Sequence, residues 1–211
     1  MKKYKLTDET IQVGGHTLHR IEALKDFSDI KNGDKGGFIE SEENLSHDGD
    51  CWVYDTAKVW EGARVFDNAE VYCDVSVYGN ASIYEDAIIY SRAEVYGNAR
   101  VFGEAIVHDY AEVCGDAEVG GNVRLGGNAK VRGDAKVADI SDYIVFKNWW
   151  SSGRYFTWTR SNNMWSVGCF FGTGEELIAK AYKDSELSGR EYERVVKYVE
   201  SILKDNKNDK R

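Results

Sequence analysis

The chain contains no proline among its 211 residues. A residue without an N–H removes a hydrogen bond wherever it enters a β-ladder, so this absence suits a chain that is ladder almost throughout. Long apolar runs are also missing. No stretch approaches the roughly 18 consecutive apolar residues a membrane span needs, and Met1-Lys2-Lys3-Tyr4-Lys5 leads into no apolar signal segment. The expected location is therefore the cytoplasm, away from any membrane. Cysteines are few and scattered: Cys51, Cys73, Cys114 and Cys169 include no C-x-x-C pair. That spacing argues against a zinc site and a disulfide framework, and free thiols are expected.

Positive charge is scarce as well. The formal net charge is −9, and residues 48–138 hold 16 acidic against 8 basic side chains, whereas residues 139–211 hold 11 against 12. Phosphate recognition rests on basic patches that release counterions, so direct nucleic-acid binding is not expected.

What is present is a repeat. From Ala57 the chain divides without a gap into fourteen sixes, beginning AKVWEG, ARVFDN, AEVYCD and ending AKVADI. The first position is Ala except at Val75 and Val123, and the third is always Val, Ile or Leu. Such alternation is a short strand with one buried face. The last two positions are mostly Gly-Asn, Gly-Asp or Asp-Asn, which accept the bend of a corner. Three strand-and-corner units close a triangular coil of 18 residues, so side chains one coil apart stack at about 4.8 Å. The pattern predicts a mainly β fold: a left-handed parallel β-helix over residues 45–138, with residues 1–44 as an N-terminal cap. Within the cap, Gly14-Gly15 marks a hairpin turn and Asn32-Gly33-Asp34-Lys35-Gly36-Gly37 a loop. Cys51 and Val53 extend the register backwards, which makes Cys51 an interior residue.

Beyond Val137 the composition changes. Residues 143–171 contain ten aromatic side chains, and residues 139–211 read as a small α+β module. Strands are expected near Tyr143–Lys147, Arg154–Arg160 and Met164–Phe170, the last two joined by a turn at Ser161-Asn162-Asn163. Thr173-Gly174-Glu175-Glu176 and Ser188-Gly189-Arg190-Glu191 have capping-box spacing and predict two helices. In the second helix Tyr192, Val195, Val196, Val199, Ile202 and Leu203 form an apolar face.

The hexapeptide unit, as in Val95-Tyr96-Gly97-Asn98-Ala99, resembles the repeat of the left-handed β-helix acyltransferase superfamily. Tyr4-Lys5-Leu6, Asp26-Phe27, Gly36-Gly37-Phe38 and Gly49-Asp50-Cys51-Trp52-Val53-Tyr54-Asp55 are similar to the N-terminal region of YdcK-type proteins, which are named as acetyltransferases. Asn163-Met164-Trp165-Ser166-Val167-Gly168-Cys169-Phe170 resembles tails of small phage and prophage proteins. The first resemblance implies an acyl-CoA-dependent acyltransferase working as a trimer, with a histidine base and acetyl-CoA as cosubstrate. The second implies a phage protein acting in a bacterial host cell.

Within the repeats the one candidate base is His108, at an outward position held elsewhere by aromatics. A lone ionisable side chain on a ladder is more often a packing residue than a general base, so no catalytic residue is expected outside the acyltransferase alternative. A carbonic-anhydrase-like metal site would need three histidines on the prism, but His16, His19 and His47 precede the repeats; neither metal nor cofactor is expected.

The outward aromatic stripe is Tyr54, Trp60, Phe66, Tyr72, Tyr78, Tyr84, Tyr90, Tyr96 and Phe102. Stacked rings stabilise adjacent strands by roughly 0.2–1 kcal/mol per pair without any partner. An exposed aromatic surface is also a contact site, and the first partner to expect is the protein itself, as a dimer or trimer. Gly120, Gly121, Gly126 and Gly127 are expected to leave the later coils bare. In the C-terminal module Trp149, Trp150, Arg154, Tyr155, Trp158, Arg160 and Trp165 compose either a packed core or an aromatic and arginine patch that binds a protein.

The expected function is that of a non-enzymatic protein-binding β-solenoid. With the phage resemblance, this becomes an inhibitor of a host defence enzyme, of the anti-CRISPR kind, whose acidic body imitates nucleic-acid charge. End-to-end polymerisation is a third reading, opposed by the capped ends.

Overall fold

The computed structural model describes residues 2–150 and 153–208. It divides into two compact units, Met1–Ile144 with Thr159–Asn162, and Val145–Trp158 with Asn163–Arg211.

The first unit is a parallel β-solenoid. Strands β1 (Tyr4–Val13) and β2 (His16–Ala23) are antiparallel and joined at Gly14 and Gly15, both at positive φ. Strand β3 (Lys35–Ile39) follows, and then fifteen two-residue strands, β4 (Trp52–Val53) to β18 (Lys136–Val137), at six-residue intervals. Each of β4 to β15 pairs in parallel with the strand eighteen residues on, as in Ile88↔Ile106 and Glu94↔Glu112. Three sheets result. One runs β4-β7-β10-β13-β16, another β6-β9-β12-β15-β18, and the third β5-β8-β11-β14-β17. The third is extended by β3, which pairs in parallel with β5, and then by β2 and β1. The N-terminal hairpin is thus continuous with one face of the prism.

The interior is uniformly small. Every first- and third-position side chain from Ala57 to Val137 is buried, most at 0 % exposure. Burying an Ala and a Val per unit removes modest apolar area from water, so stability accumulates coil by coil.

The corners add hydrogen bonds that the spacing alone does not reveal. The fifth position adopts positive φ in every unit up to Gly133, even where it is not glycine, as at Asp55, Glu61, Asp67, Glu85 and Asp109. Their carboxylates accept backbone N–H groups one coil on: Glu61 from Gly79 and Glu85 from Gly103, both at 2.7 Å, and Asp109 from Gly127 at 3.0 Å. These bonds offset the left-handed strain a side chain incurs there. Where the fifth position is Gly97, a Cβ would meet the Gly115 backbone nitrogen at 2.9 Å, so a side chain has no room. At the sixth position Asn80 donates to Asn98 (3.1 Å) and Asn98 to Asp116 (2.8 Å). The turn residue Asn162 donates to Asp134 (3.1 Å) at the next coil of the same corner.

Both mouths of the prism are closed by polar contacts. At the N-terminal mouth Lys3 is fully buried, and its Nζ donates to the carbonyls of Cys51 (2.9 Å) and Gly49 (3.2 Å) and to Cys51 Sγ (3.3 Å). Burial holds the Lys3 ammonium below its ordinary pKa and pushes the Cys51 thiol up. At the other end Asp139 caps the 3-10 turn Ile140–Asp142, and Ser161 Oγ accepts the Lys136 N–H at 2.7 Å.

The second unit carries most of an antiparallel sheet, β19 (Tyr143–Lys147), β20 (Tyr155–Thr159), β21 (Met164–Val167) and β22 (Phe170–Gly172), followed by α1 (Gly174–Asp184) and α2 (Glu186–Asn208). The single strand expected over 164–170 is two, because Gly168 at positive φ turns the chain. Thr173 and Glu176 form the predicted capping box. The second predicted start is corrected: α2 begins at Glu186, and Ser188 lies inside it with its N–H bonded to Ser185 Oγ at 3.1 Å. The extended backbone of Ser185 makes it the cap, three residues before the expected one.

Candidate functional site

The eighteen-residue coil brings the outward aromatics into register. Tyr54–Tyr72, Trp60–Tyr78, Tyr78–Tyr96, Phe66–Tyr84 and Tyr84–Phe102 are all stacked, with centroids 4.2–5.3 Å apart. Their environments differ. Trp60, expected on an open interface, is only 8 % exposed, because the N-terminal hairpin packs Leu18, Ile11 and Val13 over it beside Phe38. Tyr54 is tied by its hydroxyl to Asp29 (3.1 Å) and Glu70 (3.4 Å), and burial together with the Glu70 carboxylate raises its pKa. The remaining rings of the stripe are half-buried.

His108 continues one of these columns. Its ring stacks on Tyr90 (5.2 Å between centroids, 7° between planes), and its Nδ1 lies 3.1 Å from Asp109 Oδ2. The ring also lies over Gly126, where a Cβ would meet His108 Cε1 at 2.2 Å. Phe102 covers Gly120 in the same way, with its ring 2.6 Å from the position of a Cβ. Gly120 and Gly126 are therefore not bare, as the sequence suggested. They are the seats on which the last rings of two columns rest.

The third column ends differently, at Cys114 and Arg132. Glu112, beside it, is salt-bridged to Lys130 and to Arg132 (2.9 Å). Burial alone would raise the Glu112 pKa, but the hydrogen bonds from Lys130 and Arg132 outweigh it and the net shift is downward. Burial, followed by the Glu94 carboxylate, pushes the Tyr78 phenol up to about 12.

The predicted aromatic and arginine residues separate into two groups. Trp158 and Trp165 are 1 % and 2 % exposed and pack in the core with Phe156, which places these two on the packed-core side of the two readings the sequence left open. Apolar sheet and helix faces must bury something, and these indoles are what they bury. Trp149 is 82 % exposed, Arg154 and Arg160 are exposed, and Trp150 and Tyr155 are half-buried. Asn148 N donates to Arg154 O (2.7 Å), which lays the segments bearing Trp149 and Arg154 side by side. Arg154 also borders a cleft of about 360 Å³ with Phe170, Lys180 and Tyr192. Lys180 Nζ lies 5.7 Å from the Phe170 ring centroid. Nothing in the sequence marks Gly168 as the turn against which Arg154 lies.

Among the described residues no group of three or more His, Cys, Asp or Glu side chains is arranged to hold a metal ion. All four cysteines are free; Cys73 and Cys169 are exposed. No helix among the described residues is long and apolar enough to cross a membrane.

Fold and repeat together define a β-solenoid of the hexapeptide-repeat type. No family model matches the chain. The uncharacterized acetyltransferase YdcK of Escherichia coli (strain K12) is 38% identical over 63 residues, a match covering 26% of this chain and 19% of that protein. The chain thus matches about a fifth of the length of that relative.

Proposed function

We propose that this protein is a non-enzymatic, protein-binding β-solenoid whose C-terminal unit makes the recognition contact. The observation that carries this reading is Trp149, 82 % exposed in a unit that buries Trp158 and Trp165. An open indole adds nothing to a core, and Trp and Arg are the residue types that anchor protein interfaces. Arg154, brought alongside, has no ion pair among the described residues. A narrower form of the reading makes the partner a host defence enzyme inhibited by a phage-encoded protein. Its motivation is the resemblance of Asn163–Phe170 to phage protein tails and the acidic prism, whose 16 acidic side chains face 8 basic ones over residues 48–138.

The test is affinity capture by the full chain and by Trp149→Ala/Arg154→Glu, which alters only exposed side chains. A stoichiometric partner whose recovery falls at least tenfold with the variant is the expected result. Equal capture by both would remove the assignment to this unit.

A second reading, an acyl-CoA-dependent acyltransferase, is favoured by the similarity to YdcK and by the His108–Asp109 contact of 3.1 Å. It requires acetyl-CoA binding measurable by calorimetry and a turnover lost in His108→Ala. Against it stands the geometry of His108, whose ring is packed between Tyr90 and Gly126.

A further inference from the structure

The second position of the hexapeptide points outward, and across the fourteen units from Ala57 it is Lys, Arg, Glu or Ser with two exceptions, Ile88 and Ile106. These two are neighbours in space, paired as Ile88↔Ile106 at the centre of one face. Both are partly exposed, and a folding role does not explain why the only apolar residues at a polar position should lie side by side. The same column continues to Glu70 on one side and Arg124 on the other, through the pairings Ile88↔Glu70 and Ile106↔Arg124. The face therefore reads acid, apolar, apolar, base along the solenoid axis.

That order is self-complementary. We propose that this face is a two-fold interface between two copies of the chain, packed with their solenoid axes antiparallel. A dyad lying along the strand direction, midway between Ile88 and Ile106, sets each Ile88 against the partner's Ile106 and each Glu70 against the partner's Arg124. In the adjacent column it sets each Tyr90 against the partner's His108. Each contact occurs twice, as an isologous interface requires. Arg124, exposed and with no ion pair among the described residues, gains the carboxylate it lacks within its own chain. The other two faces offer no such pattern: one is overlaid by the N-terminal hairpin at Trp60, and on the other Glu118 already holds ion pairs with Arg100 and Lys136, whereas Glu70 is held only by tyrosine hydroxyls. The acidic corner residues Asp86 and Glu104 fall at the rim, where salt screens them, so association is expected to strengthen with moderate salt.

The experiment is sedimentation equilibrium of the full chain and of two kinds of variant, with circular dichroism as the check on folding. Ile88→Ser/Ile106→Ser places at both positions the residue that Ser76 and Ser82 already carry there, so the fold is expected to persist while the dimer dissociates. Glu70→Arg and Arg124→Glu are each expected to weaken dimerisation at least tenfold, since each reversal acts twice. The double reversal is expected to restore it. A wild-type monomer at all concentrations, a trimer, or a dimer indifferent to the isoleucine pair would overturn the proposal. So would a failure of the double reversal to recover what the single ones lose.

Discussion

The imidazole of His108 lies over Gly126, one coil further along, with Cε1 2.2 Å from where a Cβ would stand. A glycine here serves space rather than backbone freedom, since the φ of Gly126 is not in the positive region. Gly126→Ala is expected to destabilise the protein by about 1–2 kcal/mol through overpacking. In a His108→Ala background the same substitution should cost close to nothing. Thermal melts of the four proteins in a double-mutant cycle read this coupling directly. Additive effects would mean that the ring does not rest there.

Glu112 gives the solenoid a definite response to acid. Its carboxylate is held below its ordinary pKa, because the bonds from Lys130 and Arg132 outweigh burial. A depressed folded-state value means that the stabilisation is complete above the unfolded value, near about 4.3, and is lost as pH falls through the folded one. Glu112→Gln is therefore expected to cost about 1–3 kcal/mol at pH 7. The difference between wild type and variant should shrink steadily below about pH 4. Chemical denaturation at pH 7, 5, 4 and 3 measures it.

Ser185, not Ser188, starts the last helix. Ser185→Ala removes the acceptor for the Ser188 N–H and is expected to cost about 1 kcal/mol, whereas Ser188→Ala should change stability by a few tenths. The comparison is a pair of denaturation curves. Equal effects would place the helix start elsewhere.

The tryptophans of the C-terminal unit should divide by burial. Trp158→Ala is expected to cost about 3–5 kcal/mol, enough to lower the unfolding transition markedly, whereas Trp149→Ser should leave it within about 0.5 kcal/mol of wild type. Calorimetry distinguishes the two.

The solenoid was legible because its constraints repeat. An interior that admits only Ala- and Val-sized groups at fixed intervals leaves the same mark fourteen times, and each mark confirms the last. Corners were legible only as turn chemistry, because glycine and aspartate look interchangeable in a string of letters. In space Gly97 is there for lack of room, whereas Asp109 is there to receive the Gly127 N–H. Lys3 left no signal at all, since a lysine near a terminus is ordinarily solvated and nothing local says that three backbone carbonyls wait for it. The start of α2 was misread because Ser188 and Glu191 satisfy the capping-box spacing as well as a true cap does, and only backbone geometry separates them. Among candidate binding residues, the aromatic count was plain, but which indole faces water depends on sheet and helix packing that no period encodes. Trp60 shows the same limit: its position in the repeat is outward, yet a hairpin forty residues earlier in the chain covers it.

The three-sided coil also constrains how this chain can change in length. An insertion of one hexapeptide between Tyr90 and Ala99 would keep the alternation of interior side chains, yet turn all later residues by a third of a revolution about the axis. Ile106 would leave the face it shares with Ile88, and Tyr84 would no longer lie beneath Phe102. An insertion of eighteen residues would only lengthen the prism and keep each column aligned. Relatives that share these surfaces should therefore differ by whole coils, and a relative longer by six or twelve residues in this region should carry its apolar pair on another side.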